Sequence, residues 1–279
     1  MVKPQRGNLK EKERDKMRTI AICNLKGGVG KTTTAVNLAA ILAAERKKRV
    51  LVVDADSQAN ATSFLGGDKG MFGMYHLLKT GEFTLQHTNI ELVALISGEA
   101  RLMDLDLTKA GSGELNLKCL CELRRLLETS PSVEEIYGHR FDYCLIDCPP
   151  AFNAASSAAL IAADEVIIPT KLDAFALDGM ANLLQQIQNM KRINPKLRVL
   201  GILPTMWYKS WEISRAERTL REAGLRVLPR IRRSDKVDDM TFAQAPLITV
   251  SPRCNPCHDY RHLATWLESP MRKEDPDYE

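Results

Sequence analysis

Cys23-Asn24-Leu25-Lys26-Gly27-Gly28-Val29-Gly30-Lys31-Thr32-Thr33 follows an apolar run at residues 19–23 and opens a segment of helical period at residues 31–46. A glycine-rich turn between a strand and a helix points backbone N–H groups and the positive end of the helix at one place, which suits a phosphate. Gly27, Gly28 and Gly30 let the backbone approach closely around Val29, Lys31 is placed to reach β- and γ-phosphates, and the Thr32 hydroxyl to ligate Mg²⁺. A plain tight turn needs neither the lysine nor the adjacent hydroxyl. The loop, with Thr33 completing the first helical turn, therefore reads as a site for a nucleoside triphosphate and Mg²⁺.

Outward from this loop, short β-branched or apolar runs alternate with longer helical segments. Strands are expected at 19–23, 50–53, 90–96, 143–146, 165–169 and 198–203, with a short one near 226–228; helices are expected at 31–46, 115–128, 154–162, 178–191 and 213–223. This is the pattern of an α/β fold, a mostly parallel twisted sheet with helices on both faces. Met180, Leu183, Leu184, Ile187 and Met190 recur at helical steps and mark a core face rather than a cofactor box. The stretch 66–73, with four glycines in eight residues, reads as a mobile loop or the mouth of a site.

Composition bounds the setting. The chain has 279 residues, 44% hydrophobic and 27% charged, enough for one large domain at 18–269, flanked by a charged extension at 1–17 and a polar tail at 270–279. No apolar run approaches the roughly 20 residues that span a bilayer, and the first 18 residues lack the apolar core of a signal peptide, so a cytoplasmic location is expected. Seven cysteines, several inside apolar runs, fit free thiols in a reducing compartment.

Charge is segregated along the chain. Residues 189–236 carry thirteen Lys/Arg against four Asp/Glu, a net of +9, while the chain as a whole is only +4. Such a block is what an electrostatic footprint for a polyanion looks like.

The phosphate loop departs from the general pattern at two places: Leu25 stands where a glycine is usual, and a second lysine, Lys26, precedes the glycine pair. This Lys-Gly-Gly-x-Gly-Lys-Thr form resembles the deviant Walker A loop of the ParA/MinD group of P-loop ATPases. Two further segments match the group in order. Asp54-Ala-Asp56-Ser-Gln58-Ala-Asn60-Ala-Thr62 resembles its D-x-D-x-Q-x-N-x-T switch I segment, and Phe141-Asp142-Tyr143-Cys144-Leu145-Ile146-Asp147-Cys148-Pro149-Pro150 resembles a Walker B strand leading into switch II.

The resemblance implies ATP and Mg²⁺ as cofactors and an ATP-dependent homodimer in which Lys26 contacts the partner's phosphates. It implies that Thr32, Asp54 and Asp147 serve Mg²⁺, the carboxylates through water, and that Lys26, Lys31 and Asp56 are catalytic, with Asp56 orienting the attacking water. Thr205, Met206 and Pro229 are carried over as contacts to the adenine. Leu228-Pro229-Arg230-Ile231-Arg232-Arg233-Ser234 resembles the Pro-Arg-x-x-Arg segment of partition ATPases, which implies non-specific DNA binding through Arg230, Arg232, Arg233 and Lys236. A ParB-like or cargo-adaptor partner that stimulates slow hydrolysis is implied too, in partitioning of a plasmid, chromosome or other cargo over nucleoid DNA.

The C-terminal end is acidic and broken by Pro270 and Pro276, unlike the basic amphipathic helix of the membrane-bound branch, so no membrane partner is expected. Two rival readings remain. Cys254-Asn255-Pro256-Cys257 could supply half of an iron–sulfur or other metal site shared across a dimer, as in reductase-type relatives of the fold. The other rival is a nucleotide-gated scaffold that never hydrolyses.

Overall fold

Parallel strands buried on both faces need near-continuous apolar sequence, and the five central runs supply it. The computed structural model describes residues 16–129, 140–173 and 176–269. Residues 1–15 of the charged extension and the whole tail 270–279 lie outside the described residues, whereas Met17 is already buried in the core.

In chain order the elements are β1 (Arg18–Ile22), α1 (Lys31–Arg46), β2 (Val50–Asp54), α2 (Asn60–Phe64), α3 (Met74–Lys79), β3 (Gln86–His87) and β4 (Val93–Ile96). Two 3₁₀ helices follow, Ala100–Asp104 and Leu107–Ser112, then α4 (Cys119–Thr129), β5 (Tyr143–Asp147), α5 (Ala154–Ala162), β6 (Glu165–Lys171) and α6 (Ala176–Met190). The chain continues through β7 (Arg198–Thr205), α7 (Trp211–Glu222), α8 (Lys236–Ala243), α9 (Leu247–Val250) and α10 (Asn255–Glu268). The seven strands lie in the order β3-β4-β2-β5-β1-β6-β7, every neighbouring pair parallel except β3–β4.

Alternation along each strand splits the core into two layers. Ile20, Ile22, Val50, Val52 and Leu145 face α1, α2 and α10, while Ala21, Leu51, Val53, Cys144 and Ile146 face α3 to α7. Helix α5 begins with a capping box, the Asn153 side chain accepting from the Ser156 amide at 3.0 Å and the Ser156 hydroxyl accepting from the Asn153 amide at 2.8 Å. This fixes where the chain turns after β5. In register, Ile22 pairs with Asp147 and Asp147 with Asp54, so the three central strands end level at their C-terminal edge. Ligands of open parallel sheets sit beyond that edge.

Four expectations are modified. The run at 90–96 pairs only from Val93, because Leu92 turns left-handed (φ 67°) as it enters the sheet. Near 226–228 only Val227 bridges to Ile202; Pro229 has no amide with which to extend the ladder. Helix α4 starts at Cys119 rather than 115, since the Asn116 side chain accepts from the Lys118 amide at 3.0 Å in a turn that competes with helix. The glycines of 66–73 serve close packing: a Cβ on Gly67 would lie 2.3 Å from the Leu95 side chain, and one on Gly73 2.2 Å from the Ser97 carbonyl oxygen.

Candidate nucleotide-binding site

The loop after β1 is held at both ends before any anion enters it. The Cys23 amide donates to Ile167 O (3.0 Å), the Asn24 side chain donates to Pro169 O (2.7 Å), and its carbonyl accepts from the Lys26 amide (3.0 Å). From β7 the Thr205 hydroxyl donates to Val29 O at 2.9 Å. Gly30, left-handed at φ 86°, caps α1 without a side-chain cap, which leaves the first amides of the helix directed at the loop. Lys31 is buried, and its Nζ crosses the loop to donate to Lys26 O at 3.1 Å.

Beside the loop the level strand ends set two carboxylates under it. Asp54 is fully buried; Oδ2 accepts from the Thr62 amide and hydroxyl, both at 2.8 Å, and Oδ1 from the Asp56 amide at 3.2 Å. Burial pushes its pKa up to about 6, against the pull of those hydrogen bonds. Asp147 is buried with both oxygens lacking a hydrogen-bond partner. Burial, then the neighbouring Asp54, raise its pKa well above the ordinary carboxylate range; Thr32 and Lys31 oppose the rise. An orphaned buried carboxylate beside a hydroxyl is a hard oxygen set that fits Mg²⁺. Asp147 and Thr32 would hold the ion, with Asp54 tied to Thr62 behind them. Asp56 is nearly buried, and its Oδ1 accepts from the Gln58 amide at 3.1 Å, which aims the carboxylate from the start of the switch I segment.

A cavity of about 190 Å³ continues from the loop, lined by Gly30, Thr33, Thr205 and Met206 and closed by Ile231, Val237 and Tyr260. Its lining mixes apolar side chains with the polar Thr205, Ser234, Asp235 and Asp238 and the basic Arg232 and Arg233, a mixture that suits a nucleobase. Thr205 and Met206 both line this cavity. Pro229 lines a neighbouring cavity instead. Sequence reading missed Tyr260, whose hydroxyl meets the Thr34 hydroxyl at 3.2 Å and joins α10 to α1 behind the loop. No motif marks it.

Lys26 lies on the surface, where its Nζ contacts Asp173 Oδ2 at 2.7 Å. Of the four basic residues assigned to DNA, Arg230, Arg233 and Lys236 are exposed. Lys236 pairs with Asp239 at 2.6 Å one helical turn on, and Arg232 is held by Asp259 through Nε and Nη2 at 2.6–3.0 Å. Cys257 is wholly buried in the core, Cys254 half-buried. Among the described residues no group of three or more His, Cys, Asp or Glu side chains could hold a metal, and no helix is long and apolar enough to cross a membrane.

Comparison with known proteins agrees with this geometry. The family described as AAA domain matches residues 17–199. Over 195 residues the chain is 38% identical to the chromosome-partitioning ATPase Soj of Thermus thermophilus, covering 70% of this chain and 71% of that one. It is 39% identical over 195 residues to the sporulation initiation inhibitor protein Soj of Bacillus subtilis, covering 67% and 72%. Apo McdA from Cyanothece superposes with a TM-score of 0.75 at 26% identity, over 91% of this chain and all of that one. Phosphate loop, switch I segment and Walker B strand stand together at one sheet edge, as the order of motifs requires, and the chain belongs to the AAA-domain P-loop family that includes the Soj partition ATPases.

Proposed function

We propose that this chain is a slow, Mg²⁺-dependent ATPase that closes into a homodimer on ATP, binds DNA without sequence preference in that state, and is reopened by hydrolysis. The observation that carries the reading is the unequal placement of two lysines on one loop. Lys31 is 7% exposed and spans its own loop, whereas the Lys26 side chain is 42% exposed and can serve a second copy. A cation brought from outside to phosphates already held by Lys31 and Mg²⁺ neutralises charge that develops in phosphoryl transfer. Asp56 orients the attacking water. An isolated carboxylate is a weak base for water, so the intrinsic rate is low and hydrolysis acts as a timer for the dimer.

Support for a partitioning role comes from the relatives called chromosome-partitioning ATPase and chromosome partitioning protein ParA. Support for DNA binding comes from the +9 block at 189–236 and the exposed Arg230 and Arg233. A ParB-like or adaptor protein that stimulates turnover, and a cytoplasmic, nucleoid-associated location, complete the proposal. The test is pelleting of the protein with arbitrary-sequence duplex DNA, with and without ATP and Mg²⁺, and phosphate release measured in parallel. Binding that requires ATP and falls steeply with salt is expected. ATP-dependent pelleting without any phosphate release would leave the non-hydrolysing scaffold; no pelleting at low salt would remove DNA from the function.

A further inference from the structure

The basic block contains one arginine that rests on an aromatic face. The guanidinium carbon of Arg230 lies 3.7 Å from the centroid of the Trp207 ring. Trp207 is itself fixed on three sides. Its amide donates to Ile231 O at 3.0 Å, its carbonyl accepts from the Arg233 amide at 2.9 Å, and its indole N–H donates to Glu217 Oε1 on α7 at 2.9 Å. The other oxygen of Glu217 faces Arg221 Nη2 at 3.6 Å, one helical turn further along. Arg221 and Arg230 both line a cavity of about 550 Å³ between α7 and α10, together with Arg232, Asp259, His262 and Trp266.

The partners within that cavity divide the charges. Asp259 is occupied by Arg232, whose Nε and Nη2 it holds and whose charge it offsets. Glu217 is shared between the indole and Arg221. A guanidinium stacked on a ring keeps its N–H fork at the edge free for a phosphate, and stacking removes the side-chain freedom that binding would otherwise have to freeze. Arg221, 57% exposed and only loosely paired, offers a second guanidinium on the same rim.

We infer that Arg230 and Arg221, held by Trp207 and Glu217, form a two-arginine clamp for the phosphate backbone of duplex DNA. The clamp rests on the DNA-binding reading above, keeps Arg230 from the Arg230–Lys236 segment and moves its centre to the groove between α7 and α10. Trp207 and Glu217 are positioning residues: they touch the arginines, not the DNA. The ligand is a phosphate backbone because guanidinium forks on an open rim match its oxygens, and such contacts place a protein on a duplex without reading its sequence.

The experiment measures anisotropy of a labelled arbitrary-sequence duplex over a salt series with ATP and Mg²⁺, and nucleotide affinity of each variant as a check on folding. Arg230→Ala is expected to lower the slope of log K against log salt by about 1, the loss of one phosphate contact. Trp207→Ala is expected to weaken binding about as much as Arg230→Ala, and the double variant no more than either alone. Trp207→Phe keeps a ring face and is expected to bind near wild type. Arg230→Lys keeps the charge but not the planar stack and is expected to weaken binding. Wild-type binding with Trp207→Ala unaffected, additive losses in the double variant, or full binding by Arg230→Lys would each overturn the clamp while leaving DNA binding intact. Wild type that ignores duplex at low salt, or binds only phosphatidylglycerol vesicles, would overturn the DNA reading and the clamp with it.

Discussion

Lys26 Nζ lies 2.7 and 2.9 Å from the two carboxylate oxygens of Asp173, 147 residues downstream at the end of β6. The lysine proposed to serve a second molecule is thus held within its own. Releasing it must precede or accompany dimer closure, so Asp173 competes with the partner's phosphates for the same ammonium. The pair is well exposed, and such pairs contribute about 1 kcal/mol or less. Closure breaks two such pairs, one per protomer, so Asp173→Asn is expected to raise ATP-dependent dimer affinity by up to about thirtyfold, the equivalent of about 2 kcal/mol. Lys26→Gln should leave nucleotide binding by the monomer and abolish turnover. Sedimentation with a non-hydrolysable ATP analogue reads the first and phosphate release the second; a weaker dimer in Asp173→Asn would show that the carboxylate assists closure instead.

Asp147 presents the opposite case, a buried carboxylate whose two oxygens accept no hydrogen bond among the described residues, with Thr32 and Lys31 only partly offsetting its burial. A carboxyl whose pKa is raised in the folded state favours the fold while protonated, and that contribution is lost as pH rises through the folded value. At neutral pH and without Mg²⁺ the ionised group therefore costs stability. Asp147→Asn, which supplies a neutral side chain of the same shape, is expected to stabilise the metal-free protein by about 1–2 kcal/mol at pH 7.5. Its melting temperature in EDTA should exceed wild type's by about 2–6 °C, the gap closing as the pH is lowered. Turnover should vanish. A melting temperature below wild type's at pH 7.5 would mean that the carboxylate has a stabilising partner.

Much of this site was legible because its chemistry is written in contiguous residues. Lys26 to Thr33, Asp54 to Thr62 and Asp147 each sit at the end of an apolar strand, and level parallel strands necessarily bring such ends to one edge. Helix α5 was placed to the residue because 154–162 is a short run of small and apolar residues, all of them buried. What escaped depends on contacts far apart in sequence. Asp173 carries no motif and gains meaning only from Lys26. Trp207 reads as one more aromatic until Arg230 and Glu217 close around it. Arg232 looked like a free cation because Asp259, its partner, lies 27 residues away on α10. Short elements such as α2, α8 and α9 lack enough turns for a periodic stripe.

The cysteines give a test of the metal reading. Burial pushes the thiols of Cys119 and Cys144 up to about 12 and that of Cys257 up to about 11, so none of the three offers a thiolate near neutral pH. Cys254, half-buried just before α10, is the more accessible member of the pair. Iodoacetamide at pH 8 should modify Cys254 well before Cys257, and Cys144 only after unfolding in urea, read by peptide mass spectrometry. Anaerobic iron and sulfide should produce no charge-transfer absorbance. Equal rates at Cys254 and Cys257 would show that the pair opens together and would return the C-x-x-C segment to consideration as a ligand.

Gly98 decides whether the carboxylates can stand where they do. Its amide donates to the Thr62 hydroxyl at 2.9 Å, and that hydroxyl donates to Asp54 at 2.8 Å, so the chain after β4 braces the switch I segment directly. A Cβ at this position would lie 2.6 Å from the Asp56 carbonyl oxygen and 2.9 Å from the Asp54 carboxyl carbon. Neither neighbour can swing away: one is backbone, and the other is fixed by three hydrogen bonds. Gly98→Ala is expected to cost about 1–3 kcal/mol in stability, the range for overpacking a closed site. It should also displace both aspartates from the phosphate loop, lowering kcat at least about tenfold, since shifts of an ångström at a positioned group have effects of that order or larger. Gly111→Ala, where an added Cβ meets nothing within 4 Å, is the control and should turn over ATP as wild type does. Equal turnover in the two variants would mean that Asp54 and Asp56 do not need the geometry that Gly98 permits, and the assignment of Asp56 to the attacking water would fall with it.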